Sequence, residues 1–254
     1  MNFRMVHLLC VTVLLAMGAV HGVAGEGDKA GTGSAQIEKV RGALERPDLG
    51  LAVESVEPSD IPGLYTVQFA NGPVVYATAN GSHFIIGDLH EVTADGFVNV
   101  TEKRRDGERV KLIAGVDDKD MIVFSPEGET RAHVNVFTDV TCFYCQKLHR
   151  EVAQLNAMGI EVRYLAYPRA GPGSDGYNKL VTAWCAGDRQ DALTRLKAKQ
   201  SVPQQSCEDN PVDEQFSLGR QVGVSGTPAM VTSDGQLIPG YQPADQLAAT
   251  LGVK

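Results

Sequence analysis

The 254-residue chain has no excess of basic residues, no internal repeat and, beyond residue 24, no long apolar run. Lysine and arginine together number 23 against 31 aspartate and glutamate residues, which leaves a net charge of −8. Phosphate backbones repel such a chain, and no basic patch with interleaved aromatic residues compensates, so nucleic-acid binding is excluded. The lack of another long apolar run excludes a membrane-spanning helix beyond residue 24. The composition, 43% apolar and 21% charged, is otherwise typical of a globular protein.

The first 24 residues differ from the rest of the chain. Arg4 is their only strong charge, residues 8–20 form an apolar run, and residues 22–24 are Gly-Val-Ala. This order is typical of a secretory signal peptide cleaved after Ala24. A membrane anchor is the alternative, but the run is short for a span, and a lipoprotein signal is disfavoured because Leu9 precedes Cys10. The exported chain would keep an even number of cysteines, which suggests disulfides; they are Cys142, Cys145, Cys185 and Cys207.

Residues 25–93 predict a small N-terminal α+β domain. Residues 25–33 are Gly-rich and are expected to be flexible, whereas apolar residues at helical spacing from Ser34 to Leu44 predict a helix that Pro47 ends. Strands are predicted at residues 65–69, 74–78 and 83–86, with residues 89–93 continuing the sheet and Asn-Gly turns at residues 71–72 and 80–81. So small a core is marginal. The domain therefore either packs on its neighbour or pairs exposed strand edges with a second chain as a dimerisation module.

Residues 94–119 predict a linker helix between two domains. Eight of the ten residues from 102 to 111 are charged, with both signs mixed. Such a helix has little apolar surface to bury and is suited to solvent. The alternative is a surface helix of one continuous domain.

Residues 120–254 predict a second, α/β domain. A β-branched run at residues 134–137 leads into the Cys142–Cys145 segment and a helix, and residues 162–167 form the next strand. A mostly helical stretch follows from residue 175 to residue 222, with Asn210-Pro211 starting its last helix and Gly223 ending it. Strands at residues 229–232 and 236–238 precede a final helix. This order predicts a sheet with parallel and antiparallel parts and helices on both faces.

The segment Cys142-Phe143-Tyr144-Cys145 carries the strongest chemical signal. It lies where a strand turns into a helix, so the unpaired N–H groups and positive end of that helix lower the pKa of the first thiol. Cys142 is therefore the predicted nucleophile, and Cys145 lies close enough to form a readily reduced disulfide with it. A zinc site would need a second close cysteine pair, which the chain lacks, and a structural bridge is disfavoured at this tight spacing. No metal and no cofactor are predicted.

Cys185 and Cys207 form a second predicted pair. They flank a helical stretch, and a bond between them would close a loop whose chain-entropy stabilisation is roughly 3 kcal/mol. Nothing around either cysteine indicates activation, so a structural disulfide is favoured over a second redox pair. His149 and His133 are interpreted as structural residues rather than as acids or bases.

Residues 137–149, Phe-Thr-Asp-Val-Thr-Cys-Phe-Tyr-Cys-Gln-Lys-Leu-His, resemble the active-site stretch of periplasmic thiol:disulfide interchange proteins of the DsbC type. Residues 226–229 and 240–243, Gly-Thr-Pro-Ala and Gly-Tyr-Gln-Pro, resemble the second signature of that family. The layout of signal peptide, small N-terminal domain, linker helix and catalytic domain is similar as well. The resemblance therefore covers nearly all of the mature chain.

The resemblance implies a thioredoxin-like catalytic domain with a helical insertion, in a V-shaped periplasmic homodimer joined through the N-terminal domains. It implies that Cys142 attacks incorrect disulfides in exported proteins, that Cys145 resolves the adduct, and that a membrane reductase of the DsbD type restores both thiols. It also implies a cis peptide bond at Thr227-Pro228. The substrate chain would then dock beside four residues, which are Phe143, Tyr144, Thr227 and Pro228.

Two departures from the family pattern leave alternatives open. Phe143 stands where Gly is expected, and Val136 stands six residues before Cys142, where thioredoxin has a buried acid. Residues between the cysteines influence the thiolate, so the reduction potential is open. A net oxidant, a reductase of sulfenic acids, a holdase chaperone and a metal carrier are the alternative functions.

Overall fold

The computed structural model describes residues 28–70 and 72–253. The predicted signal peptide, with Cys10, and the Asn71 position of the first predicted turn lie outside these residues. The chain divides into two compact units, one that ends at Ile86 and one that begins at Gly87. Within the described ranges, no helix has the length and apolar character needed to cross a membrane.

The first unit packs one helix on a four-stranded antiparallel sheet. Helix α1 (Asp28–Leu44) is followed by strands β1 (Val53–Pro58), β2 (Leu64–Phe69), β3 (Val74–Thr78) and β4 (Phe84–Ile86), which lie in the order β1-β2-β3-β4. Val40 and Leu44 of the helix pack against apolar side chains of the first three strands. Gly81 makes the turn before β4 with φ +68°, and its N–H bonds to Thr78 O. The predicted turn at residues 80–81 is therefore confirmed.

One prediction for this unit is wrong, and one strand was not predicted. Residues 28–33 were expected to be flexible, but they form the first turns of α1. Strand β1 was not predicted, because Glu54, Ser55 and Glu57 interrupt its apolar pattern. The strand is defined instead by its pairing with β2, in which Val56 lies opposite Val67.

The second unit begins with a two-stranded sheet, β5 (His90–Thr93) and β6 (Gly96–Asn99), and helix α2 (Val100–Ala114). Residues 89–93 were expected to continue the first sheet, and this expectation is wrong, because β5 pairs with β6 instead. The Asn99 side chain accepts a hydrogen bond from the Glu102 N–H at 2.8 Å. This contact is a helix N-cap, so the end of β6 directly starts α2.

Helix α2 is anchored by a buried charge in addition to its apolar edge, in which Leu112 and Ile113 pack against a core cluster that includes Val222. Arg109 is 5% exposed and donates hydrogen bonds to Val222 O at 2.9 Å and Gly235 O at 3.4 Å. Its guanidinium also bonds to the Glu102 and Asp106 carboxylates at 2.8 and 2.9 Å. The charge pattern that predicted a solvated linker does not distinguish this arginine from its exposed neighbours.

The remaining elements form a five-stranded mixed sheet in the order β11-β10-β8-β9-β7. Strands β8 and β9 are parallel, and the other pairs are antiparallel. The predicted mixed sheet is confirmed. The elements, in chain order, are β7 (Ile122–Phe124), β8 (Ala132–Thr138), α3 (Phe143–Arg150), α4 (Val152–Ala157), β9 (Ile160–Ala166), α5 (Asp175–Trp184), α6 (Arg189–Lys197), α7 (Val212–Gln221), β10 (Ala229–Thr232), β11 (Leu237–Pro239) and α8 (Ala244–Thr250).

Alternation along β8 and β9 divides the core between the two faces of this sheet. Val136 and Tyr164 belong to a cluster with the side chains of α3, α4, α5, α6 and α8. Phe137 and Leu165, the next residues along, belong to a second cluster with Val222 and the partly buried residues of α7. Helices therefore cover both faces, and the carboxyl end of β8 leads directly to Cys142.

Candidate active site

Cys142 and Cys145 lie at the start of α3. Strand β8 ends at Thr138, a short turn follows, and Cys142 is the N-cap of α3 with extended backbone dihedrals. Both cysteines are free thiols. Gln146 supports the turn, since its backbone N–H bonds to Cys142 O at 3.0 Å and its side-chain amide bonds to Val140 O at 2.8 Å. The predicted strand-to-helix position of the pair is what the structure contains.

The turn before Cys142 is held by Asp139, a residue that the sequence analysis missed. Its buried carboxylate accepts hydrogen bonds from the backbone N–H and hydroxyl of Thr141, both at 2.7 Å, and from the Arg169 N–H at 3.0 Å. Burial alone would raise the pKa of Asp139, but these hydrogen bonds outweigh it and hold the pKa below its usual value. The Asp-x-Thr pattern, typical of an Asx turn, was the available signal.

The Thr227-Pro228 segment lies against Cys142. Its peptide bond is cis, and Thr227 O lies 3.2 Å from Cys142 Sγ, which donates to it. Pro228 O accepts a hydrogen bond from the Gly240 N–H at 2.9 Å. In the part of the chain that the structure describes, the buried Thr227 hydroxyl has no hydrogen-bond acceptor or donor. The two segments singled out in the sequence, residues 142–145 and 227–228, are therefore adjacent.

The two thiols differ in pKa although neither is accessible to solvent, since Cys142 is 3% and Cys145 1% exposed. A hydrogen bond from the Cys145 thiol lowers the pKa of Cys142 to about 5 against the opposing effect of burial, and Thr227, the Cys145 N–H and Arg169 contribute further. Burial and the bond to Cys142 raise the pKa of Cys145 far above its ordinary value. At neutral pH the arrangement therefore holds a thiolate on Cys142 and a proton on Cys145.

An aromatic rim lies next to the cysteines. Phe143 and Tyr144 are 62% and 55% exposed, and their rings meet edge to face at 5.4 Å. Tyr144 also stacks on Tyr241 with ring centroids 6.2 Å apart, and Lys147 Nζ lies 4.3 Å from the Tyr241 ring centroid. The Tyr241 hydroxyl donates to the Glu151 carboxylate, which raises the pKa of Tyr241 to about 12. Exposed, amphipathic rings of this kind are suited to contact with a polypeptide.

His149 is partly buried and its ring joins α3 to β9 and α6. Its ring nitrogens lie 3.0 Å from the Tyr164 hydroxyl and 3.0 Å from the Thr194 hydroxyl. Burial, with a contribution from nearby Lys197, lowers the pKa of His149 to about 3. The imidazole is therefore neutral at physiological pH and is not a ready acid. His133 lies on β8, where burial also lowers its pKa.

Cys185 and Cys207 form a disulfide bond. Cys185 is the C-cap of α5, and Cys207 lies in the irregular segment between α6 and α7. The bond thus joins two parts of the helical insertion. Across residues 28–70 and 72–253, no three His, Cys, Asp or Glu side chains form a group suited to a metal ion.

Comparison with known proteins identifies both halves of the chain. Residues 117–253 match the family model of a thioredoxin-like domain, and residues 30–102 match the disulfide bond isomerase protein N-terminal domain. The thiol:disulfide interchange protein DsbC of Escherichia coli strain K12 is 41% identical over 199 residues, which cover 78% of this chain and 81% of that protein. DsbC of Salmonella typhimurium is 38% identical over 221 residues, with 87% and 89% covered.

A solved structure supports the fold. A linker-deletion variant of Proteus mirabilis ScsC matches with a TM-score of 0.50 and 18% identity, over 60% of this chain and 85% of the other. The matches to DsbC cover most of this chain and most of each relative, and the free cysteine pair lies at the start of α3. The chain belongs to the DsbC family of thiol:disulfide interchange proteins.

Proposed function

We propose that the protein is a periplasmic disulfide isomerase and reductase in which Cys142 is the attacking nucleophile and Cys145 the resolving thiol. The observation that carries the proposal is the division of charge between them. The pKa of Cys142 is lowered to about 5, whereas the pKa of Cys145 is raised. Because only a thiolate attacks a disulfide, the reaction begins at Cys142.

The chemistry follows two routes after this attack. The Cys142 thiolate forms a mixed disulfide with one sulfur of the substrate, and the other substrate sulfur leaves as a thiolate. In isomerisation, a different substrate thiolate displaces Cys142 and forms a new substrate disulfide. In reduction, Cys145 attacks Cys142 and releases the substrate as a thiol. A membrane reductase of the DsbD type then returns the Cys142–Cys145 disulfide to two thiols.

Substrate docking is assigned to the backbone at residues 227–228 and to the aromatic rim. Thr227 O lies 3.2 Å from Cys142 Sγ, so a peptide strand that pairs with the backbone of Thr227 would bring its disulfide against Cys142. The exposed rings of Phe143 and Tyr144 supply apolar contact beside that strand. Both features are indifferent to side-chain sequence, which suits an enzyme that acts on many misoxidised proteins.

The same proposal includes export, domain roles and assembly. Residues 1–24 are assigned as a signal peptide, residues 25–93 as a dimerisation domain, residues 94–119 as a linker in which helix α2 follows strand β6, and residues 120–254 as the catalytic domain. Support for a homodimer comes from strand β4 at the edge of its sheet, where Phe84, Ile85 and Ile86 are 50%, 61% and 67% exposed. An exposed apolar edge strand is a surface for pairing with another chain.

The test is rescue of scrambled ribonuclease by the reduced protein and two variants. Cys142→Ser is expected to abolish the rescue. Cys145→Ser is expected to keep the attack and to accumulate mixed disulfides, which non-reducing electrophoresis detects. Full rescue by Cys142→Ser, or no trapped adduct with Cys145→Ser, contradicts the assigned roles. Cys207→Ser with Cys185→Ser is the matched control, because it removes two cysteines outside the proposed reaction.

A further inference from the structure

Lys197, the last residue of α6, is buried in the core beneath the cysteine pair. It is 3% exposed, and its ammonium donates a hydrogen bond to Thr138 Oγ1 at 2.6 Å, at the end of the strand that leads to Cys142. Its Nζ also lies 5.0 Å from the ring centroid of buried Tyr164. Among the described residues, no carboxylate lies within ion-pair distance of Lys197. Burying a lysine without an ion pair costs free energy, so a protein site that contains such a lysine is a candidate functional site.

The charges around Lys197 point to Cys145 as its partner. Burial lowers the pKa of Lys197 to about 8, and the thiolates of Cys145 and Cys142 and the Asp139 carboxylate counteract this. Lys197 is in turn the first influence that lowers the pKa of Cys145 against its burial. Of the two thiols, Cys145 has the larger influence on Lys197, and Cys142 has a second cation, Arg169, that lowers its pKa. The other titratable groups that face Lys197 are neutral, since His149 has a pKa of about 3 and burial raises the pKa of Tyr164.

We propose that Lys197 is a positioning residue for the resolving step, in which its ammonium, held by Thr138, stabilises the Cys145 thiolate as that thiolate attacks the Cys142–substrate disulfide. This role rests on the proposed function and extends it. In the step, the Cys145–Cys142 bond forms and the bond between Cys142 and the substrate sulfur breaks. The substrate sulfur leaves with the electron pair and takes up one proton, which balances the proton that Cys145 loses. Lys197 keeps its own proton throughout and supplies only charge.

The role also explains how the site operates with Val136 where a buried acid was expected. Six residues before Cys142 the side chain is apolar and fully buried. The charged group beneath the cysteines comes instead from α6 in the helical insertion, 52 residues further along the chain than Cys145. A positive charge there favours the thiolate directly, because like a helix N-terminus it stabilises the charged form of a thiol.

Reaction of the reduced protein with Ellman's reagent separates the two steps by stopped flow. Attack by Cys142 releases a first thionitrobenzoate at a rate proportional to reagent concentration, and resolution by Cys145 releases a second at a rate independent of it. In Lys197→Met the second phase is expected to slow about tenfold, the equivalent of one pKa unit, and to need higher pH. The first phase should stay within about twofold of wild type. Lys197→Arg, which keeps the charge, should restore the second phase.

Lys179→Met is the matched control, because Lys179 pairs with Asp175 at an exposed position of α5. An unchanged second phase in folded Lys197→Met, or equal slowing of both phases, overturns the role of Lys197. A first phase that survives in Cys142→Ser overturns the proposed function instead, so the two failures are distinguishable.

A measurement on the unmodified protein keeps the test independent of variant folding. Protein labelled with ¹⁵N at lysine Nζ is titrated by NMR in the reduced and Cys142–Cys145 disulfide states. In the reduced state the negative charge of the cysteine pair lies on Cys142 and raises the pKa of Lys197. Because oxidation removes this charge and coupling is reciprocal, the pKa of Lys197 is expected to fall in the disulfide state. Identical pKa values for Lys197 in the two states contradict the proposal.

Discussion

At the residue scale, Cys142 and Cys145 differ in the pKa of their thiols, which is lowered for Cys142 and raised for Cys145. The two residues have the same side chain, lie one helical turn apart and are both buried. Cys142 receives a hydrogen bond from the Cys145 thiol and has Arg169 nearby, and both favour its thiolate. Cys145 lies deeper, where desolvation dominates. The two roles of a dithiol enzyme therefore arise from position in the turn and not from residue type.

The pKa of Cys142 leads to a prediction about pH. The rate of alkylation of Cys142 by iodoacetamide should rise as the pH passes about 5 and level off above it. Because this pKa is depressed on folding, ionisation of Cys142 stabilises the reduced fold; the contribution is complete above the ordinary thiol pKa of about 8.5 and is lost as the pH falls through the folded pKa.

Cys145→Ala provides the comparison. It removes the thiol that donates to the Cys142 sulfur, so the midpoint of the alkylation profile should move to higher pH. Mass spectrometry of the labelled peptide assigns the reacting cysteine. A wild-type midpoint near the ordinary thiol value would contradict the charge division on which the proposed mechanism depends.

At the scale of elements, buried polar contacts fix how α2 and the turn before α3 meet the sheet. Arg109 bonds to Val222 O beyond the end of α7, and Asp139 bonds to Arg169 beyond the end of β9. Each contact joins segments that are distant in sequence. Elements whose own apolar surface is small thus gain a defined position from a few hydrogen bonds to charged side chains.

Arg109→Met should destabilise the protein by about 2–3 kcal/mol, because the buried carbonyl of Val222 loses a charged donor. Denaturant unfolding measures this change, and amide exchange in α2 should rise with it. Arg105→Met is the matched control on the same helix. Arg105 bonds to Asp88 and Glu102 at a more exposed position, where ion pairs contribute about 0–1 kcal/mol. Equal effects of the two substitutions would show that Arg109 has no special role.

At the scale of the whole molecule, exposed apolar side chains occur on strand β4 and on the β5–β6 sheet, in addition to the aromatic rim beside the cysteines. Ile86 is 67% exposed on the edge strand, and Val92 and Phe97 are 77% and 78% exposed. Isolated exposed apolar residues are common in proteins, but a run along an edge strand indicates an interface. The homodimer is therefore proposed to form through the first unit.

Ile86→Lys should weaken this dimer by at least about tenfold, because a charge on the edge strand opposes pairing with a second chain. Sedimentation velocity across a concentration series gives the dissociation constant. Leu49→Lys is the matched control, since Leu49 is 69% exposed in the same unit but lies in a 3₁₀ helix. A dimer as strong in Ile86→Lys as in wild type excludes β4 from the interface. The two phases with Ellman's reagent should be unaffected.

Much of this protein was predictable from local patterns. Short segments of apolar or alternating residues predicted strands β2, β3, β8 and β10. The Cys-x-x-Cys pair after a strand predicted the thiol chemistry and its nucleophile. Strand β1 was not predicted because Glu54 and Glu57 interrupt its apolar pattern. The sheet to which β5 belongs was predicted wrongly, because the pairing of a strand depends on which other strand lies next to it in the folded chain.

The groups that surround the two thiols became visible only in three dimensions. Asp139 and Lys197 are charged residues. In the sequence only the short Asp-x-Thr turn pattern marks Asp139, and nothing separates Lys197 from the lysines that face solvent. Folding buries both beside the cysteines and gives each its hydrogen-bond partners. The sequence alone therefore identifies which sulfur reacts, through its place at a helix start. The pKa values of Cys142 and Cys145 are decided by the tertiary structure, because the pKa of a thiol depends on its burial and on charges that distant segments supply.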